Sequence, residues 1–201
     1  MTLELAPGEQ RIIPGFVERL RQAGSPSPGP AGPVYAGPVV ISVAGGTVEG
    51  IVAGARTVNP DPTGVGQYSV AYGAVASGFA ATDAAWIFGL RQDGESRSNV
   101  AFVHTGEGDG GLLKLRVDLF DGTSGQVAGT TTVDLAPLQF LQLGKVLSQF
   151  APGTSNGYAK VTRIQGGSPF LGYGVINDGA EPRERSGDGA FVAMRLALSA
   201  K

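Results

Sequence analysis

The sequence predicts an all-β protein: two tandem, diverged β-sandwich units of immunoglobulin-like or jelly-roll-like kind, each with one short helical turn. Three observations predict this. Glycine (33) and proline (13) supply nearly a quarter of the 201 residues, while charged residues are only 16% and apolar residues 42%. A chain so rich in turn formers and poor in charge reads as short strands joined by loops. Residues Leu113, Leu115, Val117 and Leu119 alternate with Lys114, Arg116 and Asp118, the pattern of a strand with one face on a core and the other in water. Finally, a block near the start recurs at a constant offset of 130 residues: Leu3-Glu4-Leu5-Ala6-Pro7 matches Val133-Asp134-Leu135-Ala136-Pro137, and such self-similarity marks a repeated architectural unit.

The elements follow in order. In each copy a short alternating strand leads to an Ala-Pro turn and then to a second strand, Gln10 to Ile13 in one and Leu138 to Leu143 in the other. Pro14 or Gly144 then opens a helical turn. Its apolar residues, Phe16, Val17 and Leu20 or Val146, Leu147 and Phe150, fall at i, i+1 and i+4, one face of a helix. Val39 to Val43 leads to Gly45-Gly46 and a strand ending in Val58-Asn59. Tyr158 to Ile164 leads likewise to Gly166-Gly167 and a strand ending in Ile176-Asn177. A final strand closes each copy, Gln67 to Tyr72 and Ala190 to Leu198.

The copies are unequal. Ahead of Val133 the second has two more strands, Arg97 to Thr105 and the alternating run at 113–119. The turn Asp121-Gly122-Thr123-Ser124-Gly125 closes a hairpin into Gln126 to Leu135. The expected units are therefore 1–78, without a leading hairpin and carrying a Pro-rich insertion at 24–38, and 79–201, complete. The uneven pairing implies a processed or truncated piece of a longer chain, or an edge that another chain fills. The insertion, with five prolines and four glycines, favours extended polyproline-like structure in a surface loop, with a docking motif for a partner as the alternative. Residues 73–84 join the copies, and 178–189 form a charged loop between the last two strands.

Composition narrows the function classes. A net charge of −2 with no basic patch gives nucleic-acid binding no footing, and no apolar run is long enough for a helical membrane span. Without cysteine there are no disulfides or thiol chemistry. The opening Met-Thr-Leu-Glu-Leu-Ala-Pro is not a signal peptide, which leaves a removed signal, a fragment or a cytosolic protein.

No catalytic, cofactor-binding or metal-ligating residue is assigned. Gly106, Gly108 and Gly111 fit G-x-G-x-x-G, but a strand follows where a dinucleotide site needs a helix. His104 is the only histidine; with Thr105 and Glu107 nearby but no nucleophile-elbow motif, it reads as structural or solvated. The acidic groups Asp118 with Asp121, Glu107 with Asp109, and Asp178, Glu181, Glu184 and Asp188 raise structural calcium as an alternative. They lack a calcium-loop spacing, and Arg183 and Arg185 offer the last group internal ion pairs. A carboxylate pair for glycoside hydrolysis is not tested by spacing alone. Trp86, among Ala84, Ala85, Ile87, Phe88 and Leu90, reads as a core or interface residue rather than a sugar platform. Tyr68, Tyr72, Tyr158 and Tyr173 read as packing, with a binding face as the alternative.

Beside this reading, several short segments carry a resemblance across most of the chain. They are Ala6-Pro7-Gly8-Glu9, Ala55-Arg56-Thr57-Val58-Asn59, Gly66-Gln67-Tyr68, Gly89-Leu90-Arg91-Gln92 and Arg97-Ser98-Asn99-Val100-Ala101-Phe102-Val103. Together they resemble a repeated β-sandwich module of large secreted or cell-surface bacterial proteins, found beside proteases and adhesion-type domains. The chain departs from that pattern at Val58 for an aromatic, Val65 for tyrosine, Ser98 for threonine and His104 for asparagine. The resemblance implies a β-sandwich, an extracellular or cell-surface setting and no catalysis, and it carries over no functional residue.

The expected function is thus a non-catalytic structural or interaction module: a spacer, a surface-layer or filament-type subunit, or an accessory domain of a larger secreted protein. Its expected partners are copies of itself or neighbouring domains, reached by strand addition at the first unit's open edge. The alternative is a carbohydrate- or ligand-binding β-sandwich, which requires exposed aromatics aligned on one face.

Overall fold

The computed structural model describes residues 1–25, 36–60, 67–181 and 184–197. It is mostly β, with antiparallel sheets and two short helices. The chain divides into two compact units, Met1–Ala36 and Gly37–Lys201, so the division falls well before the 78/79 boundary read from the sequence.

In the first unit the described residues hold one helix, α1 (Phe16–Gln22). The strands expected at Leu3 to Leu5 and Gln10 to Ile13 do not form. Alternation supplies a face but not a neighbour, and an extended segment becomes a strand only when a partner's ladder takes up its N–H and C=O groups. Most of the Pro-rich stretch, 26–35, lies outside the described residues.

The second unit holds the sheets. Val39 to Val43, expected as a strand, is not one either. Strands β1 (Gly54–Pro60) and β2 (Gln67–Gly73) form a two-stranded antiparallel ribbon. The sandwich follows in β3 (Ala84–Arg91), β4 (Ser96–His104), β5 (Leu113–Asp121), β6 (Val127–Leu135), β7 (Phe140–Leu143), α2 (Val146–Phe150), β8 (Asn156–Gln165), β9 (Phe170–Asp178), β10 (Gly189–Ala193) and β11 (Arg195–Leu196). One sheet runs β10-β9-β4-β7 and the other β11-β3-β8-β5-β6, antiparallel throughout. Both sheets therefore come from residues 84–196, and 1–78 contributes the ribbon and α1 rather than a sandwich of its own.

The core lies between the two sheets. Leu113, Leu115, Val117 and Leu119 of β5 are all fully buried, as the alternation predicts, and they meet Ile87, Leu90, Val161, Val100, Phe102 and Phe170. Ser98 of β4 is buried among them. Its hydroxyl accepts from the Arg91 N–H (2.7 Å) and donates to the Arg91 C=O (2.9 Å), tying β4 of one sheet to β3 of the other. Helix α2 closes the side of the barrel-like stack with Val146 and Leu147 fully buried. Its C-terminal backbone runs so close to β6 that a Cβ on Gly129 would lie 1.7 Å from the Phe150 carbonyl oxygen.

The ribbon has its own contacts within this unit. Tyr72 of β2 meets Tyr173 of β9 and Phe191 of β10 edge-on, with centroids 5.5 and 5.6 Å away, and the Ser69 N–H donates to Asp188. Residues 54–73 thus belong with the strands that follow them, which accounts for the shifted boundary.

Candidate functional site

The sequence singled out His104, the acidic loops and the aromatics, and the structure separates them. His104 is fully buried at the end of β4. Its Nδ1 accepts from the Gly106 N–H (3.0 Å) and its Nε2–H donates to the Gly111 carbonyl (3.0 Å). Both ring nitrogens are therefore spent on folding the 105–112 loop against its own strand, in one neutral tautomer. The Thr105 hydroxyl donates to the Pro169 carbonyl (3.0 Å). The three residues are neighbours in a loop clamp, and β5 follows the G-x-G-x-x-G.

The carboxylates also hold loops. Asp109 accepts from the Gly111 and Gly167 N–H groups (3.1 and 3.0 Å), and the first of these is the chief reason its pKa lies below the usual carboxylate value. One oxygen of Asp121 takes the N–H of Ser124 (2.7 Å), its hydroxyl (2.9 Å) and the N–H of Thr123 (3.0 Å), and these bonds likewise lower its pKa, the Ser124 N–H foremost. Asp118 is engaged by Arg116 and Thr130. In the last loop Asp178 accepts from the Ser186 hydroxyl (2.6 Å), which lowers its pKa most, and pairs with Arg185 (3.0 Å). Glu181 pairs with Lys145 of the 144–146 turn, and Arg183 lies outside the described residues. Among the described residues no three acidic, histidine or cysteine side chains converge as a metal site would require.

Three of the four tyrosines singled out fall into two clusters rather than one face, and Tyr68 of β2 belongs to neither. Tyr72 and Tyr173 sit with Phe191, and burial raises the Tyr173 phenol far above its ordinary pKa, with Tyr72 adding to the shift. Tyr158 belongs to a four-ring cluster with Trp86, Phe88 and Phe120 on the outer face of the five-stranded sheet. Trp86 is thus outward and half-buried, not a core residue, because Ala85 and Ile87 on either side take the inward positions of β3. Its apolar neighbours concealed that alternation in the sequence. Lys160 lies over its ring, 5.5 Å from the centroid.

Ring geometry decides what this cluster can do. Phe120 and Tyr158 face each other across strands with centroids 4.9 Å apart and planes within 1°. Two coplanar rings lying side by side cannot approach so closely, so these are offset-stacked. Trp86 and Phe88 stack in the same way, 5.9 Å apart at 13°. Stacking within these two pairs, and Lys160 over the Trp86 ring, takes up ring faces that a sugar would otherwise meet.

The most distinctive surface is one the sequence indicated only as a repeat. In residues 6–9 the Glu9 N–H donates to the Ala6 carbonyl (3.0 Å) and the Glu9 carboxylate accepts from the Ala6 N–H (2.8 Å). At 136–139 the Gln139 N–H donates to Ala136 (2.9 Å) and the Gln139 side-chain oxygen accepts from the Ala136 N–H (2.8 Å). Pro7 and Pro137 occupy the second place of each turn. Gly8 and Leu138 occupy the third with φ of 76° and 61°, the pattern of a type II turn. Six residues after the turn's end, Gly15 and Lys145 both take left-handed backbone, φ 61° and 45°, and each caps a helix beginning at the next residue.

Burial is where the two segments part. Val133, Leu135, Val146 and Leu147 are buried, and Leu141, Leu143 and Phe150 pack against the core. Their counterparts are less so: Leu3 and Leu5 are 45% and 49% exposed, and Phe16 and Val17 are half-buried where Val146 and Leu147 are fully buried, while Ile13 and Leu20 are half-buried as Leu143 and Phe150 are. Among the described residues before Ala80, none is buried at all.

No protein family and no curated protein matches the chain. Among solved structures it is similar to the Crystal Structure of Thermotoga maritima 1070, at 11% identity, over 60% of this chain and 98% of that one, with a TM-score of 0.43. A likeness at that level carries no argument about function.

Proposed function

We propose that the protein is a non-catalytic structural and interaction module of an extracellular or cell-surface assembly: a spacer, a surface-layer or filament-type subunit, or an accessory domain of a larger secreted protein. In this reading 6–20 and 136–150 are diverged copies of one turn, cap and helix segment. One observation carries the proposal. The same turn, cap and helix occur twice at a fixed offset, with the helix's apolar pair fully buried in the second copy and only half-buried in the first, whose leading Leu3 and Leu5 are exposed. In the second unit Val39, Val40, Ile41, Ile51 and Val52 are exposed as well, Val52 at 97%, and exposed apolar surface of this kind marks association. The commitment of His104 and the loop carboxylates to backbone groups favours a structural role for them over a catalytic one. The carbohydrate-binding alternative has outward aromatics in its favour, but their faces are occupied by each other.

Sedimentation across a wide concentration series tests the proposal. Reversible self-association, or association with a neighbouring domain, that persists in high salt and weakens in Ile12→Asp is the expected result. A protein that stays strictly monomeric and binds no protein partner would remove its basis.

A further inference from the structure

We propose that residues 3–20 form a docking arm for two strands of the β4 and β5 type, carried by another module of this kind. The inference rests on the interaction-module reading and names what the arm receives.

The chain itself displays the receiving surface. Residues 133–135, the end of β6, lie on β5, with Val133 opposite Leu115 and Leu135 opposite Leu113. Residues 140–143 lie on β4, with Leu143 opposite Val100 and Leu141 opposite Phe102. Helix α2 then folds its apolar pair into the core. Shifting by 130 puts Leu3 and Leu5 in the places of Val133 and Leu135, Ile13 in that of Leu143, and Phe16 and Val17 in those of Val146 and Leu147. The backbone is already set for it, since the turn hydrogen bonds and the left-handed cap are formed. Incoming strands would meet a segment that needs only to be paired, which is the mode of β-strand addition.

Charge follows the same register. Asp134 pairs with Lys114 across the strands at 3.5 Å, and Glu4 stands in the place of Asp134. A β5-type strand that sets its leucines opposite Leu3 and Leu5 brings its lysine opposite Glu4. Arg11 replaces Leu141 opposite the phenylalanine of a β4-type strand, where a guanidinium can lie on the ring.

A folded second copy of this chain does not offer these strands. Its β4 lies between β9 and β7, and its β5 between β8 and β6, so both edges are occupied. The arm's partner is a module whose β4- and β5-type strands are uncovered.

Two peptides test this on the full chain: Ser96–His104 and Leu113–Asp121, each labelled and followed by fluorescence anisotropy, with hydrogen exchange mapping the contact. Saturable binding is expected, with protection appearing at residues 3–5 for the second peptide and 10–13 for the first. Glu4→Lys should weaken the second peptide severalfold, and the same peptide bearing Lys114→Glu should recover the loss. Ile13→Asp should abolish binding of the first. Neither variant touches a buried side chain, so unchanged thermal melting of the sandwich shows that folding is intact. Absence of saturable binding, or protection confined to β6 to β11, overturns the inference. If the protein then still self-associates, the interaction reading survives without it. If it binds the peptides but neither self-associates nor takes up a neighbouring domain, the docking arm stands and the assembly reading falls.

Discussion

Truncating equivalent residues in the two helices should give very unequal results. Leu147 is fully buried, and a Cβ on Gly157 of β8 would lie 3.2 Å from its Cδ2. The leucine therefore fills space that a glycine leaves open, and nothing beside it can swing in when it is shortened. Leu147→Ala removes three carbon groups at about 0.8 kcal/mol each, and the unfilled cavity adds to that, for a total of about 3–4 kcal/mol. At roughly 3–4 °C per kcal/mol for a protein of this size, melting should fall by about 10–15 °C. Val17 occupies the same place in α1 but is not buried. Val17→Ala should change stability by no more than about 0.5 kcal/mol, because little packing is lost and alanine is the better helix former. Thermal and urea unfolding followed by circular dichroism would measure both. Equal costs would refute the reasoning, since the arm would then be packed like its counterpart. A cost below about 1 kcal/mol for Leu147→Ala would show instead that α2 does not seal the core.

Other consequences follow from close contacts and shared protons. Gly129→Ala would put a methyl 1.7 Å from the Phe150 carbonyl oxygen. Backbone must move to admit it, so a loss of about 3 kcal/mol or more is expected, and a melting temperature within 2–3 °C of the parent, on the order of 1 kcal/mol, would show that α2 does not lie against β6. Ser98→Ala leaves the Arg91 N–H and C=O without their bridge between the sheets. It should cost about 1–3 kcal/mol by urea titration, and a neutral result would mean that water replaces the hydroxyl freely. Asp109, Asp121 and Asp178 all have pKa values lowered in the folded state. Their contribution is therefore complete above the ordinary aspartate value near pH 4 and is lost as pH falls through the lower, folded values. Melting temperature should hold from neutrality to about pH 4 and then drop, and Asp121→Asn should make that drop shallower. An identical acid slope in the variant would dismiss Asp121 as a contributor.

What could be read from the sequence depended on how local the deciding physics was. The alternation at 113–119 fixes which face of β5 is buried, because a strand's side chains must alternate whatever it pairs with. The Ala-Pro turns and the i, i+1, i+4 helical faces are local too, and both appear where expected. Leu3 to Leu5, Gln10 to Ile13 and Val39 to Val43 have strand-like composition and yet form no strand, because pairing is non-local and among the described residues no strand pairs with them. The hidden features share one cause. Trp86 sits in an unbroken apolar run, so its outward direction depends on which register β3 adopts against β8. Ser98 and His104 look like surface residues until the fold supplies Arg91, Gly106 and Gly111 as their partners.

The duplicated turn shows how far local sequence can go without tertiary support. Glu9 and Gln139 differ in charge but present the same acceptor to the N–H three residues back, and proline precedes a left-handed residue in each turn. At that left-handed position the first copy has Gly8, which adopts φ of 76° without strain. The second has Leu138 at 61°, a conformation that costs a non-glycine residue about 1–2 kcal/mol. In the second copy that cost is set against the contact of the half-exposed Leu138 side chain with the 105–112 loop, where it lies within 3 Å of where a Gly106 Cβ would be. The first copy has Gly8 there, with nothing within 4 Å of where its Cβ would be. A segment whose turn and cap are set by local hydrogen bonds, while Leu3, Leu5 and Ile12 stay exposed, is suited to receive a partner.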